Sequence, residues 1–144
     1  MDGKNLVVSD EDTFPLIQFL EDRLYEYNSS VTNKDDGHLF SRIVKDENGY
    51  IVAGIAGWTW AGVCEVTQLW VDQKCRNTGV GKLLLDAAER EANDRGCLRL
   101  LIRTFSIQAS EFYLKCGYQM EHVVNDFPAG YQYCIVSKWL RPMT

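Results

Sequence analysis

Arg76, Gly79 and Gly81 stand at Arg-x-x-Gly-x-Gly spacing between an apolar run, "VTQLWV", and an amphipathic stretch, "VGKLLLDAAERE". Glycines in such a place remove the Cβ atoms that would hold a ligand away from the chain. The N–H groups of residues 77–82 can then turn toward a phosphate, helped by the positive end of a helix dipole. Two familiar phosphate loops fail here. A Walker loop needs Gly-x-x-x-x-Gly-Lys-Ser/Thr, but Arg76 stands at the first glycine and Leu83 replaces the hydroxyl residue that would hold a metal ion. A dinucleotide fingerprint needs a third glycine, and Leu84 occupies that position.

Other reactive side chains are sparse. Glu65 lies mid-strand among Cys64, Val66 and Leu69, where a carboxylate needs either a task or a cation such as Arg42 beside it. The five cysteines, at 64, 75, 97, 116 and 134, are widely spaced without a Cys-x-x-Cys pair, so neither a disulfide framework nor a zinc site is indicated. Cys116 falls on an apolar stripe just before Gly117 and reads as a packing residue rather than an acyl-carrying thiol. His38 and His122 lack partners at metal-ligand spacing and read as surface or structural residues. No metal is expected.

These residues sit in a chain of 144, a length suited to one domain with one core. It is 46% hydrophobic and 24% charged, ordinary values for a globular protein. A net charge of −5 argues against a general nucleic-acid binder. No run approaches the roughly 18 apolar residues of a membrane span, and "MDGKNLVVSDEDTF" lacks the pattern of a signal peptide. The expectation is a cytosolic protein with neither nucleic acid nor membrane as partner.

The elements that would position the chemistry follow from periodicity. Residues 5–8 read as a short strand. Leu16, Ile17, Leu20, Leu24 and Tyr27 mark an amphipathic helix ending near Asn28-Ser29-Ser30. "HLFSRIVKDENGYIVAGIAGWTW" reads as a hairpin about Asn48-Gly49. A second reversal at Ala61-Gly62 leads into "VCEVTQLWVD", a central strand. Val80, Leu83, Leu84, Ala87, Ala88 and Ala92 share one helical face that Gly96 ends. "CLRLLIRT" is a buried strand, and Ala109, Phe112, Tyr113 and Cys116 stripe a short helix stopped by Gly117. "YQMEHVV" and "YQYCIVSKWL" close a mixed sheet.

The order strand, Arg-x-x-Gly-x-Gly, helix, strand, followed by "AxxFYxKxGY" from Ala109 to Tyr118, resembles the GNAT superfamily of acetyl-CoA-dependent N-acetyltransferases. The likeness covers residues 50–125 in motif and nearly the whole chain in element order. It implies one GNAT-like domain over residues 1–144. The fold would be α/β, or more strictly α+β: a central, mixed, mostly antiparallel sheet with a splayed parallel strand pair and helices on both faces. The phosphate is then the pyrophosphate of coenzyme A, held by Arg76, Asn77, Thr78, Gly79, Val80, Gly81 and Lys82.

The same resemblance implies that the pantetheine arm enters the splay and pairs with the main chain of Leu69, Trp70 and Val71. One N–H, of Leu69 or Trp70, would face the thioester oxygen. Glu65 stands where several relatives carry a general base, which an alkyl ammonium with a pKa near about 10 requires at neutral pH. Tyr113 matches the tyrosine that protonates the departing thiolate. Ser106 replaces an asparagine that orients the cofactor arm. Trp58, Trp60, Phe105 and Tyr131 are candidate walls of an acceptor pocket, with Tyr27 and Asn28 at the end of the first helix.

The expected activity is transfer of acetyl from acetyl-CoA to a primary amine of a small, cationic molecule, by direct attack in a ternary complex. A protein acetyltransferase acting on a lysine or an N-terminus stays open, as does a non-catalytic acyl-CoA-binding module. The closing strands offer edges that a second copy could cover, so a homodimer is a further possibility.

Overall fold

The computed structural model describes residues 5–108 and 110–141. Two compact units divide the chain between Asp35 and Asp36. The first holds one helix, α1 (Thr13–Thr32). It runs past the expected stop at Asn28-Ser29-Ser30, and polar side chains of this last stretch bond back to helix carbonyls. Ser30 Oγ donates to the Tyr27 carbonyl and Thr32 Oγ1 to that of Asn28. Asn33, left-handed at φ 57°, ends it. Residues 5–8 are not a strand. No sheet ladder includes them, and a short apolar run without a ladder partner has nothing to hold it extended.

The second unit is a six-stranded sheet with two helices: β1 (His38–Lys45), β2 (Ile51–Trp60), β3 (Val63–Val71), α2 (Val80–Asp94), β4 (Arg99–Phe105), α3 (Ser110–Lys115), β5 (Gln119–Asn125) and β6 (Gln132–Trp139). Short 3₁₀ turns precede α2, at Gln73–Cys75, and α3, at Ser106–Gln108. The strand order is β1-β2-β3-β4-β6-β5, and among the described residues only β3 and β4 run parallel. Both expected reversals are present. Gly49 (φ 86°) turns β1 into β2, and Ala61 (φ 52°) with Gly62 (φ 84°) turns β2 into β3. Among the described residues no helix is long and apolar enough to cross a membrane. Ala109, the first residue of the second motif, lies outside the described residues.

The core lies between the sheet and α2. Leu84, Leu85, Ala88 and Ala92 pack on Phe40, Ala53, Ile55, Cys64, Val66, Leu100 and Ile102, joined by Tyr113, Tyr118 and Val136. The helical face differs from the expected one by a side chain: Leu85 is buried and Leu83 is 66% exposed. Gly81 is on the inward side, close to Val71 and Phe112, and Leu85 lies one turn on along the same row.

Two irregularities meet in mid-sheet. The β2–β3 register slips at Ala56/Gly57, pairing Ala56 with Gln68 and Gly57 with Val66, so Thr67 bulges out. The β3–β4 ladder holds only from Val63↔Arg99 to Val66↔Ile102. Beyond it β3 stays with β2, and β4 stays with β6. The sheet is therefore split between its two halves from residue 67 onward.

Candidate active site

A cavity of about 690 Å³ fills this split. Its walls are residues 66–71 of β3, the loop before α2, the first turn of α2, residues 102–104 of β4, Ile107, and Phe112 and Tyr113 of α3. The bulge decides which β3 side chains meet it. Cys64 and Val66 face α2 before the bulge, and Leu69 and Val71, paired with Ile55 and Ala53, face it afterwards. Trp70 lies on the opposite face, half exposed.

The glycine loop is shaped for close approach. Asn77 (φ 62°) and Gly79 (φ 86°) are both left-handed and flank Thr78. The Thr78 hydroxyl donates to the Cys75 carbonyl, and Arg76 Nε reaches the Val71 carbonyl at 3.4 Å. The first main-chain bond into α2 runs from Leu83 N–H to the Gly79 carbonyl, 3.1 Å. The N–H groups ahead of it have no intrahelical acceptor and are free to bind an anion at the cavity rim. Lys82 lines the same rim and pairs with Asp86 at 3.1 Å, which raises its pKa.

Of the expected cofactor residues, Leu69, Trp70, Val71, Arg76, Asn77, Gly79, Val80, Gly81 and Lys82 all line the cavity. Thr78 does not; its hydroxyl is spent on the turn. Ser106 lies off the lining too, its Oγ accepting the Gln132 N–H at 2.9 Å and tying the end of β4 to the start of β6.

Tyr113 is 5% exposed and reaches the cavity, and burial pushes its phenol up to about 12. Its ring packs edge-on against Phe112 and Tyr118. Glu65 is paired across the sheet with Trp58 and Leu101, one residue before the ladder ends, on the face away from α2. Its carboxylate meets Arg103 Nε at 3.1 Å. Arg42, the cation considered from sequence, instead faces Glu91 at 3.5 Å. Cys116 is part of the packing, and burial raises its thiol pKa.

The candidate acceptor residues of the second unit, Trp58, Trp60, Phe105 and Tyr131, do not line this cavity. Trp58 neighbours Glu65. Trp60 lines a separate cavity of about 430 Å³ with Thr59 and Arg95. Phe105 packs edge-on against Phe127 and Tyr133, at 5.1 and 4.8 Å between centroids. Tyr131, 48% exposed, follows Pro128 in the same loop. Tyr27 and Asn28 lie near the end of α1, in the first unit. Sequence reasoning missed Arg103, Ile107 and Phe112 as cavity residues. Arg103 carried the same signal as Glu65, a charge inside an apolar strand.

A sequence profile described as the acetyltransferase (GNAT) family matches residues 6–118. Blasticidin-S acetyltransferase of Streptomyces morookaense is 34% identical over 88 residues, 58% of this chain and 62% of that protein. Acetyltransferase Atu2258 of Agrobacterium fabrum is 28% identical over 114 residues, 79% of this chain and 83% of that protein. The crystal structure of an acetyltransferase from Bacillus cereus superimposes with a TM-score of 0.77 at 31% identity, covering 93% of this chain and 98% of that one.

Proposed function

We propose that this chain, which belongs to the acetyltransferase (GNAT) family and so takes acetyl-CoA as its co-substrate, acetylates a primary amine of a small, cationic molecule. The observation that carries the reading is the split between β3 and β4, with the start of α2 at its rim and a buried phenol inside. The small-molecule acceptor draws support from the likeness to a blasticidin-S acetyltransferase.

In this reading the loop from Arg76 to Lys82 holds the pyrophosphate, and the main chain of Leu69, Trp70 and Val71 takes the pantetheine arm. Glu65 accepts the proton of the acceptor's ammonium. The neutral amine attacks the thioester carbonyl in a ternary complex, and the C–S bond breaks as Tyr113 gives its proton to the departing thiolate. The extra proton on the new amide nitrogen passes to the tyrosinate, and Glu65 returns its proton to solvent. The test is thiol release from acetyl-CoA with a panel of primary amines. Binding of acetyl-CoA without turnover of any amine would leave only an acyl-CoA-binding module.

A homodimer belongs to the same proposal. Of the two closing strands only β5 is an edge, since β6 lies between β4 and β5; β1 is the other edge. A dimer mass in light scattering at micromolar concentration is expected, and a monomer would remove the assembly without touching the chemistry.

A further inference from the structure

Arg103 belongs neither to the glycine loop nor to α3. It is the first β4 residue past the last pair with β3, on the opposite face from Ile102 and Thr104, which are buried toward α2. The cations of the phosphate loop, Arg76 and Lys82, flank the start of α2. Arg103 instead shares its face with Glu65, and the pair is lopsided. Its side chain is 54% exposed, while that of Glu65 is 12% exposed.

Nε is the guanidinium nitrogen nearest the Glu65 carboxylate, and the terminal nitrogens donate no hydrogen bond among the described residues. A guanidinium whose Nε lies toward one carboxylate can still offer its two terminal amino groups as an end-on fork, a geometry matched to a second carboxylate. An ammonium arriving alone would gain from Glu65 and be repelled by Arg103. A molecule carrying both an ammonium and a carboxylate satisfies both.

We infer that Arg103 is a specificity-determining residue: it takes the carboxylate of an amino-acid-like acceptor whose ammonium goes to Glu65. The inference rests on the acetyltransferase reading above. It narrows the acceptor from cationic amines at large to amines that also carry a carboxylate.

The test uses matched pairs of ω-amino carboxylates and their carboxamides, in which the distant amide leaves the basicity of the amine nearly unchanged. Each is assayed with acetyl-CoA by thiol release, for the parent, Arg103→Gln and Arg103→Lys. The parent should favour the carboxylate by about tenfold or more in kcat/KM, the scale of hydrogen bonds to a charged partner. Arg103→Gln should lose that preference, its kcat/KM falling at least about tenfold further on the carboxylate than on the amide. Arg103→Lys should keep part of it, as a charge without a fork.

Equal kcat/KM for both members in the parent overturns the inference. So does an equal loss on both in Arg103→Gln, which would leave Arg103 as a support for Glu65 alone. If acetyl-CoA raises the melting temperature but neither kind of amine is acetylated, the inference fails and the cofactor assignment stands. If acetyl-CoA gives no stabilisation, the transferase reading falls and the inference with it.

Discussion

Gly57 faces the main chain of Glu65 so closely that a Cβ on it would lie 2.0 Å from the Glu65 carbonyl oxygen and 3.0 Å from Phe40 Cε1. The glycine thus admits the bulge at Thr67 and fixes the strand that carries Glu65. Gly57→Ala must push backbone, and overpacking of this kind costs about 1–3 kcal/mol or more. We expect a loss at the upper end by urea denaturation. Gly49→Ala is the control: its φ is 86° but nothing lies within 4 Å of the added carbon, so it should cost only about 1–2 kcal/mol. Equal losses would mean that the bulge tolerates a side chain.

What the sequence showed and what it hid divide along this line. The turns at Asn48-Gly49 and Ala61-Gly62 are local, each written in adjacent residues, and both are present. Gly57 has no local signature. Its need arises from a register slip against a strand that follows a turn, which periodicity cannot register. The α2 face was legible to within one side chain, because Gly81 counts as a packing position only once Val71 and Phe112 lie beside it. Glu65 stood out as a mid-strand charge, but its partner, 38 positions away in sequence, is fixed by the parallel ladder. The run at 5–8 looked like a strand because a strand's apolar pattern does not reveal whether a ladder partner exists.

The loop is tested by ligand and by substitution. Acetyl-CoA at a hundredfold excess over its Kd should stabilise the fold by about 2.7 kcal/mol, with ATP and NAD doing much less. Gly79→Val places a branched side chain at φ 86°, a strain of about 1–3 kcal/mol, and should also lose affinity for coenzyme A. Gly96→Val, at φ 78° beyond the far end of α2, carries similar strain and should bind coenzyme A as the parent does. If both variants bind coenzyme A equally well, the loop does not hold it.

Glu65→Gln keeps the shape of the side chain and removes the base. The rate should fall most near neutral pH, where an ammonium with a pKa of about 10 must be deprotonated. It should recover as pH approaches that value and free amine becomes plentiful. A loss of equal size at every pH would assign Glu65 to holding Arg103 rather than to proton transfer.

Tyr113→Phe separates chemistry from packing. It removes one oxygen and leaves the ring contacts with Phe112 and Tyr118. Burial holds the phenol at about 12, so it stays protonated over the working range and can serve as an acid. A thiol near about 8.5 makes full transfer uphill by roughly 5 kcal/mol, so the proton moves only as far as the transition state requires. General-acid contributions span about 10²–10⁴-fold, and this mismatch argues for the low end or slightly below. We expect kcat to fall about 10- to 100-fold, with the KM for acetyl-CoA little changed, the pattern of an interaction made in the transition state. Stability gives an independent check. The phenol ionises at about 10 when unfolded and about 12 when folded, so its contribution is complete below about pH 10 and is lost as pH rises to about 12. The phenylalanine variant lacks this loss and should gain on the parent by about 2–3 kcal/mol across that window. A kcat within about twofold of the parent would end the general-acid assignment, and a loss confined to KM would make Tyr113 a wall of the cofactor site.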